Sequence, residues 1–166
     1  MMNFNEFVIE QKGDHKDGTY ISVKLNKQDS AKLDFWATEN GIKNLIDPSE
    51  YHTTVIYSKK GIPDSKGYDL DLPIEAKISG WEIFDSQGST KCLVGVLDSK
   101  ELVKHHNNIM STYKGTYDFP KYIPHITLTY NNADRGIPKE LPDFNLKFDT
   151  RDFQPIRPDF IPKSKS

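Results

Sequence analysis

The sequence predicts one domain of interleaved strands and helices arranged as two similar halves, and three observations carry that reading. The chain has 166 residues, within the usual range of a single domain. Its apolar residues recur at period two over several short runs and at helical spacing over two longer ones. A strand, a helix and a His-x-Thr strand follow one another twice, so each half reads as a βαβ-like unit closing on that motif. In the first copy 33 residues separate Thr19 from His52, and in the second 35 separate Thr90 from His125.

Taken in order, residues 3–12 are expected to form a short helix, and the Gly-Asp-His-Lys-Asp-Gly stretch after them a loop that leaves His15 solvated. Residues 19–25 alternate, with Ile21, Val23 and Leu25 on one face and Tyr20, Ser22 and Lys24 on the other. Asp29 or Ser30 is expected to cap a helix with Leu33, Trp36 and Ala37 inward and Gly41 as its stop. Residues 51–58 read as a strand rich in Thr, Val, Ile and Tyr. Residues 59–73 read as a long flexible loop of the kind that borders sites.

Residues 74–85 and 90–98 form an expected hairpin across Gln87-Gly88. Asp98 with Glu101 signals the cap of a helix over 99–113, whose stripe is Leu102, Val103, His106, Ile109, Met110 and Tyr113. A strand is expected over 122–130, a loop over 131–143, a last strand over 144–157, and a fraying tail beyond.

Composition narrows the function classes. The 22 basic and 24 acidic residues leave a net charge of −2, whereas gripping a long polyanion needs a basic excess. Cys92, the single cysteine, excludes an intramolecular disulfide and a Cys-rich zinc site, and it reads as a small core residue. No apolar run is long enough to span a bilayer, and the first residues lack a signal-peptide pattern, so a soluble protein of a reducing cytoplasm is expected.

The candidate chemistry lies in His52-Thr53-Thr54 and His125-Ile126-Thr127. In a strand, residues two apart share a face, so His125, Thr127 and Thr129 project together while Ile126, Leu128 and Tyr130 point the other way. His52 and Thr54 share a face likewise. If a pseudo-twofold axis relates the halves, the two histidines meet across one cleft. Such a pair suits phosphodiester cleavage: one neutral imidazole takes a proton from the attacking hydroxyl, and one imidazolium protonates the leaving oxygen. Thr54 and Thr127 would donate hydrogen bonds to the phosphoryl oxygens. The neighbours His105 and His106 sit about 100° apart on their helix, which is not the i, i+4 spacing of a helical zinc site, and His106 reads as a packed or capping residue.

These residues carry a resemblance. Two His-x-Thr motifs 73 residues apart, the second within Ile-Pro-His-Ile-Thr-Leu, resemble the two-histidine phosphoesterase superfamily. The whole chain, from Asn-Phe-Asn-Glu-Phe through Gly-Thr-Tyr-Ile-Ser-Val to the last strand, is similar to the phage anti-CBASS phosphodiesterases within it. The resemblance implies a bilobal, pseudo-symmetric α+β fold, with antiparallel sheets lining a central cleft and helices outside. It implies catalytic roles for His52, Thr54, His125 and Thr127, no metal and no cofactor. The implied partner is a cyclic oligonucleotide such as 3′3′-cGAMP, met in the cytoplasm of an infected bacterial host. One departure is Thr53, where the middle position of the motif is often apolar.

Three aromatic residues are candidate base-stacking contacts. Tyr20 shares its strand's polar face, Trp81 follows Gly80, which admits close approach, and Tyr122 precedes the second motif. Two other readings use the same residues: an RNA-end phosphodiesterase acting on 2′,3′-cyclic or 2′–5′ linkages, and a non-catalytic sponge for cyclic nucleotides. Product analysis separates the first from cyclic-oligonucleotide cleavage, and recovery of intact ligand would identify the second.

Overall fold

A computed structural model describes residues 18–85, 90–116 and 121–155. In chain order the elements are β1 (Thr19–Leu25), α1 (Lys27–Glu39), β2 (His52–Ser58), β3 (Ile74–Asp85), β4 (Lys91–Asp98), α2 (Lys100–Tyr113), β5 (His125–Thr129) and β6 (Leu146–Pro155), with 3₁₀ turns at Pro48–Glu50 and Pro63–Gly67. The strands form a six-stranded sheet in the order β2-β1-β6-β3-β4-β5. Every neighbouring pair is antiparallel, so the fold is α+β. The expected helix at 3–12, the loop around His15, the Gln87-Gly88 turn and the C-terminal tail lie outside the described residues.

The order is symmetric about its centre: β6 and β3 are innermost, β1 and β4 flank them, and the two His-x-Thr strands are the edges. The halves are nevertheless not βαβ units. A βαβ crossover joins parallel strands, whereas β1 with β2 and β4 with β5 are direct antiparallel neighbours. After α1 the chain returns along the helix before starting β2, so β2 begins beside the end of β1, where the Leu25 amide donates to the Tyr51 carbonyl at 3.0 Å. β3 joins the halves: Ile74–Ala76 pairs with β6 and Lys77–Asp85 with β4.

Strand alternation directs one face of the sheet to the core. Ile21, Val23, Val55, Ile56, Leu93, Leu97, Ile126, Leu128, Leu146 and Phe148 join Leu33 and Ala37 of α1 and Leu102 and Ile109 of α2 in one buried cluster. The caps differ from those expected. Asn26, not Asp29 or Ser30, caps α1, its Oδ1 accepting from the Asp29 amide at 2.7 Å. Asp29 is thereby released to accept from the Lys147 amide, and this ties the helix start to β6. Gly41 ends the helix in the left-handed region, at φ 77°, as its composition predicts. Ser99, one residue after the expected Asp98, caps α2 through the Leu102 amide.

The buried stripe of α2 is Leu102, His105, His106 and Ile109, while Val103 is exposed. Helical spacing allowed either side of that stripe, and the two histidines win because each has a polar partner inside. The segment 59–73 is packed, not loose: Ile62, Ser65 and Leu70 are buried, and the Tyr68 hydroxyl reaches His105 Nδ1 at 3.2 Å.

Thr53 faces the core opposite Val23, is 1% exposed, and has no hydrogen-bond partner for Oγ1 among the described residues. A buried unsatisfied hydroxyl costs about 1–3 kcal/mol. Thr53→Val keeps the shape and the β-branch, so it is expected to raise Tm by roughly 2–4 °C, equivalent to about 1 kcal/mol in a domain of this size. Calorimetry showing a lower Tm would mean the hydroxyl is satisfied.

Candidate active site

Both motif strands have the burial sequence half-buried, buried, half-buried, buried, buried from the histidine onward, because alternate residues face the core and the other side of the sheet. His52 and Thr54 therefore share the face opposite the core, as do His125 and Thr127. A β-bulge follows the threonine in each strand. In β2, Thr54 pairs with Ser22 and Ile56 with Ile21, which leaves Val55 as the extra residue; in β5, Thr127 pairs with Val94 and Thr129 with Leu93.

The bulge reverses the alternation beyond it. Thr129 turns inward and is fully buried, and Tyr130 joins the histidine face, contrary to simple period-two reading. In β2 the same shift sets Tyr57 opposite Tyr20 on that face. Each motif is thus His-x-Thr-x-x-Tyr, a longer repeat that the sequence contains and that period-two logic conceals.

The imidazoles are held alike. His52 Nδ1 lies 2.7 Å from the Glu50 carbonyl, and His125 Nδ1 lies 2.9 Å from the Ile123 carbonyl. A carbonyl only accepts, so Nδ1 carries the hydrogen in both rings and Nε2 presents its lone pair elsewhere. Burial holds both pKa values below the ordinary 6.5, against the raising effect of these carbonyl hydrogen bonds. A charge on His52 lowers His125 further, so protonating one ring discourages protonating the other.

Around them, the Tyr20 hydroxyl lies 2.9 Å from Thr54 Oγ1, and burial pushes the phenol up to about 12. Lys24 is the cross-strand partner of His52, and its charge acts to lower that imidazole. Asp152, opposite Ser22 on β6, acts in the other sense. On the β5 side the floor is apolar: Phe84, Cys92 and Val94 are buried together, the Phe84 ring meets His125 edge-on at 5.1 Å, and burial pushes the Cys92 thiol up to about 12. Among the described residues, no group of three or more His, Cys, Asp or Glu is placed to hold a metal ion, and no helix is long and apolar enough to cross a membrane.

Two of the three aromatic candidates are occupied differently from expectation. Trp81 pairs across β3–β4 with Gly95, on the core side of the sheet, where it stacks on Trp36 at 5.8 Å and donates Nε1–H to the Glu140 carbonyl. The bulge between Ile78 and Gly80 sets that orientation. Tyr122 stacks on His106, with centroids 4.0 Å apart and planes 3° apart, and donates its hydroxyl to the Thr54 carbonyl at 2.7 Å. Its segment also runs as coil up to His125, shortening the expected strand. Tyr20 does lie on the face of the motif side chains. Sequence reasoning missed Lys24, Tyr57 and Asp152, which cross-strand register identifies, and Tyr130, which its packing against Phe84, Cys92 and Val94 identifies.

An antiparallel sheet whose edge strands each bring His-x-Thr to the same face defines the two-histidine phosphoesterase fold. Solved structures share it. LigT of E. coli in apo form aligns with a TM-score of 0.56 at 12% identity, covering 85% of this chain and 95% of LigT. A Thermus thermophilus protein, TT0787, gives 0.59 at 13%, covering 82% of this chain and 86% of TT0787. LigT complexed with 3′-AMP gives 0.58 at 12% identity, covering 84% of this chain and 87% of LigT. The family model described as anti-CBASS protein Acb1 matches residues 17–163. The Acb1 of Vibrio phage KVP40 is 30% identical over 116 residues, 70% of this chain and 74% of that protein. The Acb1 of Yersinia phage phiR1-RT is 28% identical over 145 residues, 87% and 92%. The chain belongs to the anti-CBASS protein Acb1 family.

Burial lowers His52, His105, His106 and His125 below 6.5 in the fold. Unfolding restores them to about 6.5, so on the acid side the unfolded chain binds more protons. Their contribution to stability is present above that value and is lost as pH falls through it. Thermal melts are expected to show Tm decreasing between about pH 7.5 and pH 5, and a flat Tm would contradict buried neutral imidazoles.

Proposed function

We propose that this protein is a phosphodiesterase that opens 3′–5′-linked cyclic di- and trinucleotides such as 3′3′-cGAMP, without a metal or cofactor, and so counteracts CBASS defence in the cytoplasm of an infected cell. The supporting observation is the matched pair of imidazoles, each fixed through Nδ1 to the carbonyl two residues before it, with a threonine beside it on one face. Family membership supports the biological setting. The net charge of −2 fits a compact ligand better than long RNA.

In the reaction, Nε2 of one neutral histidine takes the proton of a ribose 2′-hydroxyl. O2′ attacks phosphorus, the P–O5′ bond breaks, and the other histidine, as imidazolium, protonates O5′. The product carries a 2′,3′-cyclic phosphate and a 5′-hydroxyl. The mutual discouragement of protonation between the rings favours the singly protonated pair that such chemistry needs. Thr127 donates to a phosphoryl oxygen. Thr54 does so too when Tyr20 donates to its Oγ1, which leaves the threonine hydrogen for substrate. Tyr20 also offers its ring to a base, a contact worth ~1–3 kcal/mol. Lys24, across from His52, is a cation placed to meet the developing charge.

Mass spectrometry after incubation with a panel of cyclic di- and trinucleotides is expected to show linear products bearing a 2′,3′-cyclic phosphate. His52→Ala and His125→Ala should each lose ~10²–10⁴-fold in kcat, with EDTA without effect. Cleavage of a 2′-deoxy analogue would refute attack by the 2′-hydroxyl. Exclusive turnover of cyclic-phosphate-ended oligoribonucleotides would favour the RNA-end reading, and intact ligand after long incubation the sponge. Lys24→Met is expected to raise KM about tenfold, the loss of one charge-assisted hydrogen bond; an unchanged kcat/KM would exclude Lys24 from phosphate contact.

A further inference from the structure

At the β2 bulge, two successive carbonyls on a sheet edge point away from the ladder and accept from the opposite half. Tyr122 donates its hydroxyl to the Thr54 carbonyl at 2.7 Å, and His106 Nδ1–H bonds the Val55 carbonyl at 2.8 Å. The two donors are stacked on each other in parallel planes, so neither ring shifts without the other. One residue beyond Tyr122, the Ile123 carbonyl holds Nδ1 of His125. A segment of four residues, Tyr122 to His125, therefore grips the backbone of the first motif at one end and carries the histidine of the second at the other.

From this geometry we infer that Tyr122 is a positioning residue that sets the first motif's Thr54 against the second motif's His125, with His106 as the platform that orients it. The inference rests on the proposed phosphodiesterase reading for its kinetic consequence. Tyr122 acts through Thr54: fixing the carbonyl of that residue fixes its Cα–Cβ vector and hence where Oγ1 meets the phosphoryl oxygens. Displacements near 1 Å at reacting groups cost up to ~10²-fold in rate. A base-stacking role would use the face of the Tyr122 ring, but His106 covers one face at 4.0 Å.

Tyr122→Phe keeps the ring and the stack and removes only the hydroxyl. It is expected to lower kcat about tenfold with KM within about twofold, since one positioning contact is lost and no substrate contact. In a Thr54→Val background the same change should cost less than about twofold, because the group through which it acts is gone. His106→Phe, which keeps the stack but not the donor, should lower kcat in the same direction. A Tyr122→Phe enzyme with wild-type kcat, or a loss that adds fully to that of Thr54→Val, overturns the inference. A rise in KM alone returns Tyr122 to substrate binding.

NMR of the ligand-free protein reads the same link without turnover. The Thr54 methyl and His125 ring Cε1–H resonances should both move in Tyr122→Phe, and unmoved His125 overturns the coupling. Should the wild-type protein cleave none of the cyclic panel, the proposed function fails, and these resonances still decide the brace.

Discussion

Hydrogen bonds tie each motif-bearing edge strand to the opposite half, and the alignment of the two motifs depends on them. On β2 the Thr54 and Val55 carbonyls accept from Tyr122 and His106. On β5 the Ile46 amide donates to the Leu128 carbonyl at 2.9 Å, and Asn44 Nδ2 to the Asn131 carbonyl just beyond the strand. Each half therefore satisfies backbone groups that the other half's edge leaves open, an accounting that buried amides and carbonyls require. The strands so clasped are the two that carry the histidines.

The chemistry is then a matter of faces. Alternation brings His and Thr together, the bulges add a tyrosine on each side, and the i−2 carbonyls orient both rings in one tautomer. The surroundings differ between halves. The first motif has Lys24, Tyr20 and Asp152 about it, whereas the second sits on Phe84, Cys92 and Val94. Two equivalent imidazoles thereby meet unequal environments, one charged and one apolar, which is the usual origin of distinct acid and base roles.

The alternation of residues 19–25 and the helical spacing around Leu33 and Ile109 were legible because they are local and periodic. That His52 and His125 lie on the same face of their strands was legible because the motif occurs twice on like strands. What local pattern could not carry is register. Strand direction within each half follows from the chain's return along the helix, while the turning of Thr129 inward and the orientation of Trp81 depend on bulges, which insert one residue without changing composition. Caps slipped for a similar reason: Asn26, Asp29 and Ser30 all qualify chemically, and the bond from the Lys147 amide, a long-range contact, assigns Asp29 elsewhere. His106 was legible as a packed residue from its place on the stripe, whereas the burial of His105 rests on Tyr68, a partner distant in sequence.

Unpaired strand edges template association between copies of a chain, and proteins cover them with charges, helices or loops. In this fold the covering groups at β2 are His106 and Tyr122, side chains that bond the Thr54 and Val55 carbonyls. Resistance to self-association and the alignment of the site thus rest on the same few hydrogen bonds. A substitution that removes the contacts of Tyr122 and His106 with β2 would open those two carbonyls and favour pairing of that edge with a second copy.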